Sequence, residues 1–375
     1  MLTLPLAAAP TIDSGDTAWV LTCTALVLLM TPGLAFFYGG LVRAKNVLAM
    51  LMQNYVCMAV VSVTWVIVGY TLAFGDGNGL LGGFRYTGLA HTSEPVPGFT
   101  LSIPPLLFMA FQLMFAIITA ALIAGAVADR VRFGPFVAFI ALWSVVIYAP
   151  LAHWAFAPEG WLVTFGALDF AGGTVVEINS GASGLALALV VGKRLGWPRE
   201  AMPPHSLPLT LLGAGLLWFG WFGFNAGSAL HADGLAVNAL VATHMSAVGG
   251  MLSWLLVERL RTGSATTLGG ASGAIAGLVA ITPACGFLAP LPSLALGAVA
   301  GAVCLLAVQL KYRFGYDDSL DVVAVHFVGG VLGMLAIGLA ASQAVNGAVT
   351  HEGLLYSVDA WLLGRQAVGI LDAAA

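Results

Sequence analysis

Ten apolar stretches, each long enough to cross a bilayer, succeed one another with short polar breaks. They fall at about 17–39, 47–74, 103–128, 134–153, 172–192, 207–230, 237–257, 268–286, 293–311 and 322–344. A helix needs about 20 apolar residues to span the hydrocarbon core. Every backbone polar group must be satisfied there from within, so runs of this length predict helices. Composition agrees. The 375 residues are 60% hydrophobic and 8% charged, with mean hydropathy +0.97, against roughly 25% charged in soluble domains. The expected fold is all-α and polytopic. An eleventh, weaker helix is expected from about 358 to 375, where Arg365 and Asp372 interrupt a short apolar run, so that it reads as a helix cut off partway.

Charge sets the orientation. Eleven of the 13 Lys and Arg lie on alternate loops: Arg43 and Lys45, Arg130 and Arg132, Lys193, Arg194 and Arg199, Arg259 and Arg261, and Lys311 and Arg313. Basic loops stay in the cytoplasm. The expectation is therefore a multi-pass protein of the plasma (inner) membrane with its N-terminus outside. Residues 1–16 read as an extracellular leader or the remnant of a signal peptide. A net charge of -4 offers no attraction to nucleic acid. Cys23, Cys57, Cys285 and Cys304 lie singly in apolar runs and read as small buried hydrophobes. No metal-ligand spacing, P-loop or nucleophile–base set is evident, so neither an enzyme nor a cofactor is expected.

Two segments half a chain apart match. In the first, Asp169 precedes Glu177 by eight residues, and Gly181 and Gly184 follow at +4 and +7. In the second, Asp318 precedes His326 by eight, and Gly330 and Gly333 follow at the same offsets. The first copy lies on the fifth span and the second on the tenth, and these run in opposite directions. Two inverted five-helix repeats, about 17–192 and 207–344, are expected, with a site at their interface near mid-membrane. Glycines on the same helix face as Glu177 and His326 let two helices approach closely. An ionisable residue inside a span costs about 2.5–3.5 kcal/mol even on a lenient scale. Glu177 and His326 thus read as pore residues, the alternative being a hydrogen bond that only joins two helices. Asp169 and Asp318, at span beginnings, read first as helix caps.

At these residues the chain resembles the ammonium transporter family that includes the Amt, Mep and Rh proteins. The matching blocks are Phe36–Asn46 (FFYGGLVRAKN), Ala110–Phe115 (AFQLMF), Gly166–Gly173 (GALDFAGG), Gly220–Ser228 (GWFGFNAGS), Gly273–Gly277 with Thr282–Gly286, and Asp317 through His326. They run from about residue 17 to the end, in family order. The resemblance implies a homotrimer of eleven-helix subunits, each with its own pore. It implies an outer vestibule that recruits ammonium, with Phe111, Ser228 and Asp169 contributing, and a gate of two stacked rings, Phe115 and Phe224. Below these, a narrow apolar tract is lined in the family by two histidines. It also implies that a PII-type signal protein can act from the cytoplasmic side. Two positions depart from the pattern. Phe156 stands where the vestibule Trp is expected, and Glu177 replaces the first pore histidine, as an acid does in some fungal members.

Chemically, a pore must separate ammonium from potassium, which carries the same charge. Ammonium donates directed hydrogen bonds and can lose a proton. Ser228 offers an acceptor, and Phe115 a π face. An apolar tract beneath the rings penalises a bare cation far more than neutral ammonia. Glu177 and His326 are then candidates for the proton path. Burial disfavours charge on both while their pairing favours it. The expected function is transport of ammonium/ammonia. The alternative is an ammonium-sensing membrane module of a signalling receptor.

Overall fold

A computed structural model of the chain describes residues 11–375. The first ten residues of the expected leader lie outside this range. Among the described residues there is no β-strand. Eleven helical segments among the described residues cross the bundle: α1 Ser14–Leu41, α2 Ala44–Phe74, α3 Pro105–Ala126, α4 Phe133–Phe165, α5 Gly173–Val191, α6 Leu207–Gly227, α7 Gly234–Thr262, α8 Thr267–Ile281, α9 Pro290–Phe314, α10 Val323–Ala340 and α11 Trp361–Ala374. Nine are long and apolar enough to span a membrane, while α8 and α11 have 15 and 14 residues.

The sequence explains most boundaries. Asp13 caps α1 by accepting from the Asp16 amide at 2.9 Å, which starts that helix three residues before the expected 17. Asp233 caps α7 and Thr266 caps α8 in the same way, filling donors that a helix start leaves unpaired. α3 and α9 open on Pro105 and Pro290, where a missing amide costs nothing. α4 extends past its expected end at 153: it stays helical to Phe156, breaks, and adds a last turn at Trp161–Phe165.

The packing is that of two opposed halves. α1, the first helix of one half, lies along α6, the first of the other, and α5 lies against α10 in the same relation. A two-fold axis in the membrane plane brings equivalent helices together in this way. Close approach depends on missing side chains. A Cβ on Gly213 would stand 2.2 Å from the Phe37 amide nitrogen. The four cysteines are buried free thiols.

Candidate functional site

Both candidate pore residues sit on wide, π-helical turns, Glu177 on Gly173–Ile178 and His326 on Val323–Phe327. Such turns rotate side chains out of the regular α register and often mark functional sites. Each turn begins at the repeated aspartate. Asp169 Oδ1 accepts from the amides of Gly172 (2.8 Å) and Gly173 (2.7 Å), and its Oδ2 from the Thr174 amide (2.7 Å) and hydroxyl (2.5 Å). Asp318 Oδ2 accepts from the Val323 amide at 2.7 Å. The two acids thus hold the starts of α5 and α10.

The turns meet. His326 Nδ1 lies 2.7 Å from Glu177 Oε2, and the two side chains are 5% and 1% exposed. Glu177 Oε1 is buried without a partner. The glycines one turn on make this approach possible. A Cβ on Gly181 would come 2.5 Å from the Phe327 amide nitrogen, and Gly330 lies reciprocally against the Glu177 turn.

Three cavities lie in series around the pair. The outer one, about 150 Å³, is lined by Phe111, Gln112, Phe115, Phe156, Phe170 and Ser228, with Phe99, Phe108 and Leu230. Five of the six residues expected at the vestibule and gate therefore either line this chamber or close it. Ser228 donates its proton to the Phe224 carbonyl at 2.8 Å, which leaves its lone pairs free to accept. Asp169 does not line the chamber, since its carboxylate is taken up by α5. The chamber floor is Phe115, whose ring centroid lies 4.9 Å from that of Phe111 and 4.3 Å from that of Phe224. Beyond Phe224 a pocket of about 20 Å³ is walled by Met30, Leu34, Ile118, Val176 and Leu217 and reaches Glu177 and His326. A chamber of this size holds about one water-sized molecule. His326 also borders the third cavity, about 310 Å³, which carries Glu258, Arg261 and Asp321. The imidazole thus stands between a small apolar chamber and a larger one that also carries charged side chains.

Several contributing residues are given no site role by the sequence. Gln112 and Phe170 enter the outer chamber from α3 and from the loop before α5. At the basic end of the bundle, Asp317 is buried between Arg194 (Nη2–Oδ1 2.8 Å) and Arg130 (Nη1–Oδ2 3.6 Å). Burial alone would raise the Asp317 carboxyl, but the bonds from Arg194 and the nearby Arg130 charge hold it below its ordinary value. Arg130 also donates to the Asp317 carbonyl at 2.6 Å, fixing the loop that leads to His326. His153, beside the expected vestibule position, is fully buried, its ring nitrogens 2.9 Å from the Ala73 carbonyl and 2.6 Å from that of Asn78.

Residues 18–375, nearly the whole described chain, match the model of the Ammonium Transporter Family. The chain belongs to that family. Among curated members of the Ammonium Transporter Family, the ammonium transporter of Mycobacterium tuberculosis is 51% identical over 388 residues, covering 95% of this chain and 81% of that protein. The ammonium transporter of Bacillus subtilis is 50% identical over 357 residues, covering 95% and 87%. The crystal structure of Saccharomyces cerevisiae Mep2 superposes with a TM-score of 0.91 at 38% identity, covering 97% of this chain and 83% of that one. A sensor Amt protein superposes with a TM-score of 0.87 at 30% identity, covering 96% and 89%.

Proposed function

We propose that this member of the Ammonium Transporter Family carries ammonium across the membrane as ammonia and a separately relayed proton. The observation that carries the reading is the stack of Phe115 and Phe224 above a buried Glu177–His326 pair, with a one-molecule apolar chamber between them. Ammonium collects in the outer chamber, where Ser228 accepts one of its hydrogen bonds and the faces of Phe111, Phe115 and Phe156 attract its charge. Beneath the rings the chamber offers a cation little but the pair. Ammonium gives one proton to the Glu177–His326 pair, and neutral ammonia moves on. The proton leaves from the imidazole into the inner cavity, where ammonia takes a proton again. Potassium has no proton to give and stays outside.

The same reading places the basic loops in the cytoplasm, the N-terminus outside and the protein in the inner membrane as a homotrimer. It keeps two inverted repeats, 17–192 and 207–344, as the framework of the pore. It leaves the cytoplasmic face open to a PII-type regulator. The experiment is current in reconstituted vesicles under an ammonium gradient, with potassium as competitor. Ammonium should drive current that potassium does not block, and Glu177→Gln and His326→Ala should each abolish or strongly reduce it. Wild-type current in both variants would sink the relay.

The likeness to a sensor Amt protein supports a second reading, an ammonium-sensing module. Saturable ammonium binding by purified protein with no ammonium-driven current or methylammonium uptake would select it.

A further inference from the structure

At the basic end of the bundle a separate cavity of about 420 Å³ is lined by Arg43, Lys45, Arg130, Lys193 and Arg194, with Asp129 the one acid on its wall. Asp129 accepts from Arg43 Nε at 3.0 Å, and Asp317 neutralises Arg194 from behind. Two carboxylates thus face five cations. Arg43 keeps its terminal nitrogens. Arg130 is 6% exposed and its Nε has no partner. Lys45 and Lys193 are exposed and form no ion pair among the described residues. Like charges this close repel one another unless an anion joins them.

The surroundings say where that anion comes from. Val191 and Leu195 form part of the cavity wall, and Leu195 is 92% exposed. Val190, next to Val191 at the end of α5, is 84% exposed, and Leu48, three residues after Lys45 on α2, is 80% exposed. A cationic bowl rimmed by bare aliphatic side chains at the end of two membrane helices suits a phosphate that carries acyl chains.

We propose that this cavity binds a phosphate group at the membrane surface, the headgroup of an anionic phospholipid. It is distinct from the conduit, since none of its lining residues borders the three cavities in series. The intact protein is reconstituted in nanodiscs of phosphatidylcholine with one-fifth phosphatidylglycerol, and co-purifying lipid is quantified after detergent extraction. Wild type should retain phosphatidylglycerol over phosphatidylcholine. Removing an interfacial charge weakens such binding about fivefold, so Lys45→Gln with Lys193→Gln should cut the enrichment about 25-fold, and the Arg pair at the same positions should keep it. A parallel arm measures thermal stabilisation of lipid-stripped protein by inorganic phosphate against chloride of equal ionic strength. Stabilisation by phosphate without phosphatidylglycerol enrichment would assign the site to free phosphate and overturn the lipid headgroup. No enrichment in wild type, or enrichment untouched by the Gln pair, would overturn the site itself.

Discussion

Gly330 leaves no room for a side chain beside Glu177. A Cβ on this glycine would stand 3.0 Å from the Glu177 Cβ and 2.9 Å from Ile178 Cγ1. Gly330→Ala must therefore push α10 from α5 and stretch the 2.7 Å bond between His326 and Glu177. Overpacking costs about 1–3 kcal/mol, and Gly181→Ala belongs at the upper end because its obstacle is the Phe327 backbone. Thermal unfolding in detergent measures the cost. Ammonium-driven current should fall in both variants even where the folded protein is recovered. Undiminished current in Gly330→Ala would separate function from the close helix approach.

Phe115 and Phe224 stand between the outer chamber and the pocket at Glu177. Phe224→Ala removes a fully buried ring, a change that costs about 3–5 kcal/mol in a packed core. It also widens the pocket of about 20 Å³ toward the Phe115 ring that floors the chamber of about 150 Å³, leaving one ring where two stood between water and the ionisable pair. The expected outcome is a protein that discriminates less against potassium, read as potassium-driven current in vesicles. Phe224→Leu should keep more of the discrimination, because it refills part of the volume. Unchanged ion preference in the Ala variant would mean that selection occurs elsewhere.

The long apolar runs announced the helices, because a bilayer permits few alternatives. Glu177 and His326 stood out for the same reason: an ionisable group in such a run is costly and needs a purpose. What could not be read was geometry at a distance. The π-helical turns that aim both side chains have no residue signature. Arg130, Arg194 and Asp317 come from three loops, and their ion pairs span 187 and 123 residues of sequence. Gln112 and Phe170 become chamber walls only when α3 and the loop before α5 meet. Asp169 shows the opposite case. Family position suggested the vestibule, while its place eight residues before Glu177 suggested a cap, and its carboxylate is engaged by four donors of the next helix.

That arrangement makes Asp169→Asn a demanding test. Asparagine has one oxygen and one amino group where aspartate has two acceptors. Whichever way the amide turns, its NH2 faces donors, either the Gly172 and Gly173 amides or those of Thr174. A buried donor left unsatisfied costs about 1–3 kcal/mol, and the charge that favours a helix N-terminus is lost as well. Asp169→Asn should thus lower the unfolding temperature and loosen the turn carrying Glu177. Hydrogen exchange at residues 172–177 should rise with it. Exchange at wild-type rates would show that α5 holds its start without the cap.

Asp317 and Asp318 are neighbours with opposite electrostatics, and stability should report both signs. Asp318 is fully enclosed, its Oδ1 has no partner, and burial together with the Asp321 charge raises its carboxyl from 3.8 to about 6. Between those values the folded protein holds a proton that the unfolded chain releases. Its contribution is complete below pH 3.8 and lost as pH rises through 6. Asp317 is held below its ordinary 3.8, so its contribution is present above that value and lost as pH falls through the depressed one. Asp318→Asn keeps an oxygen for the Val323 amide, so relative to wild type it should gain stability as pH climbs from 4 to 6.5. Asp317→Asn should lose stability at neutral pH by about 3–5 kcal/mol, because Arg194 is left buried without its partner, and lose less on acidification. Unfolding temperatures of the three proteins measured from pH 3 to 7 decide the matter. Curves that run parallel over the whole range would mean that neither carboxyl titrates differently in the folded protein.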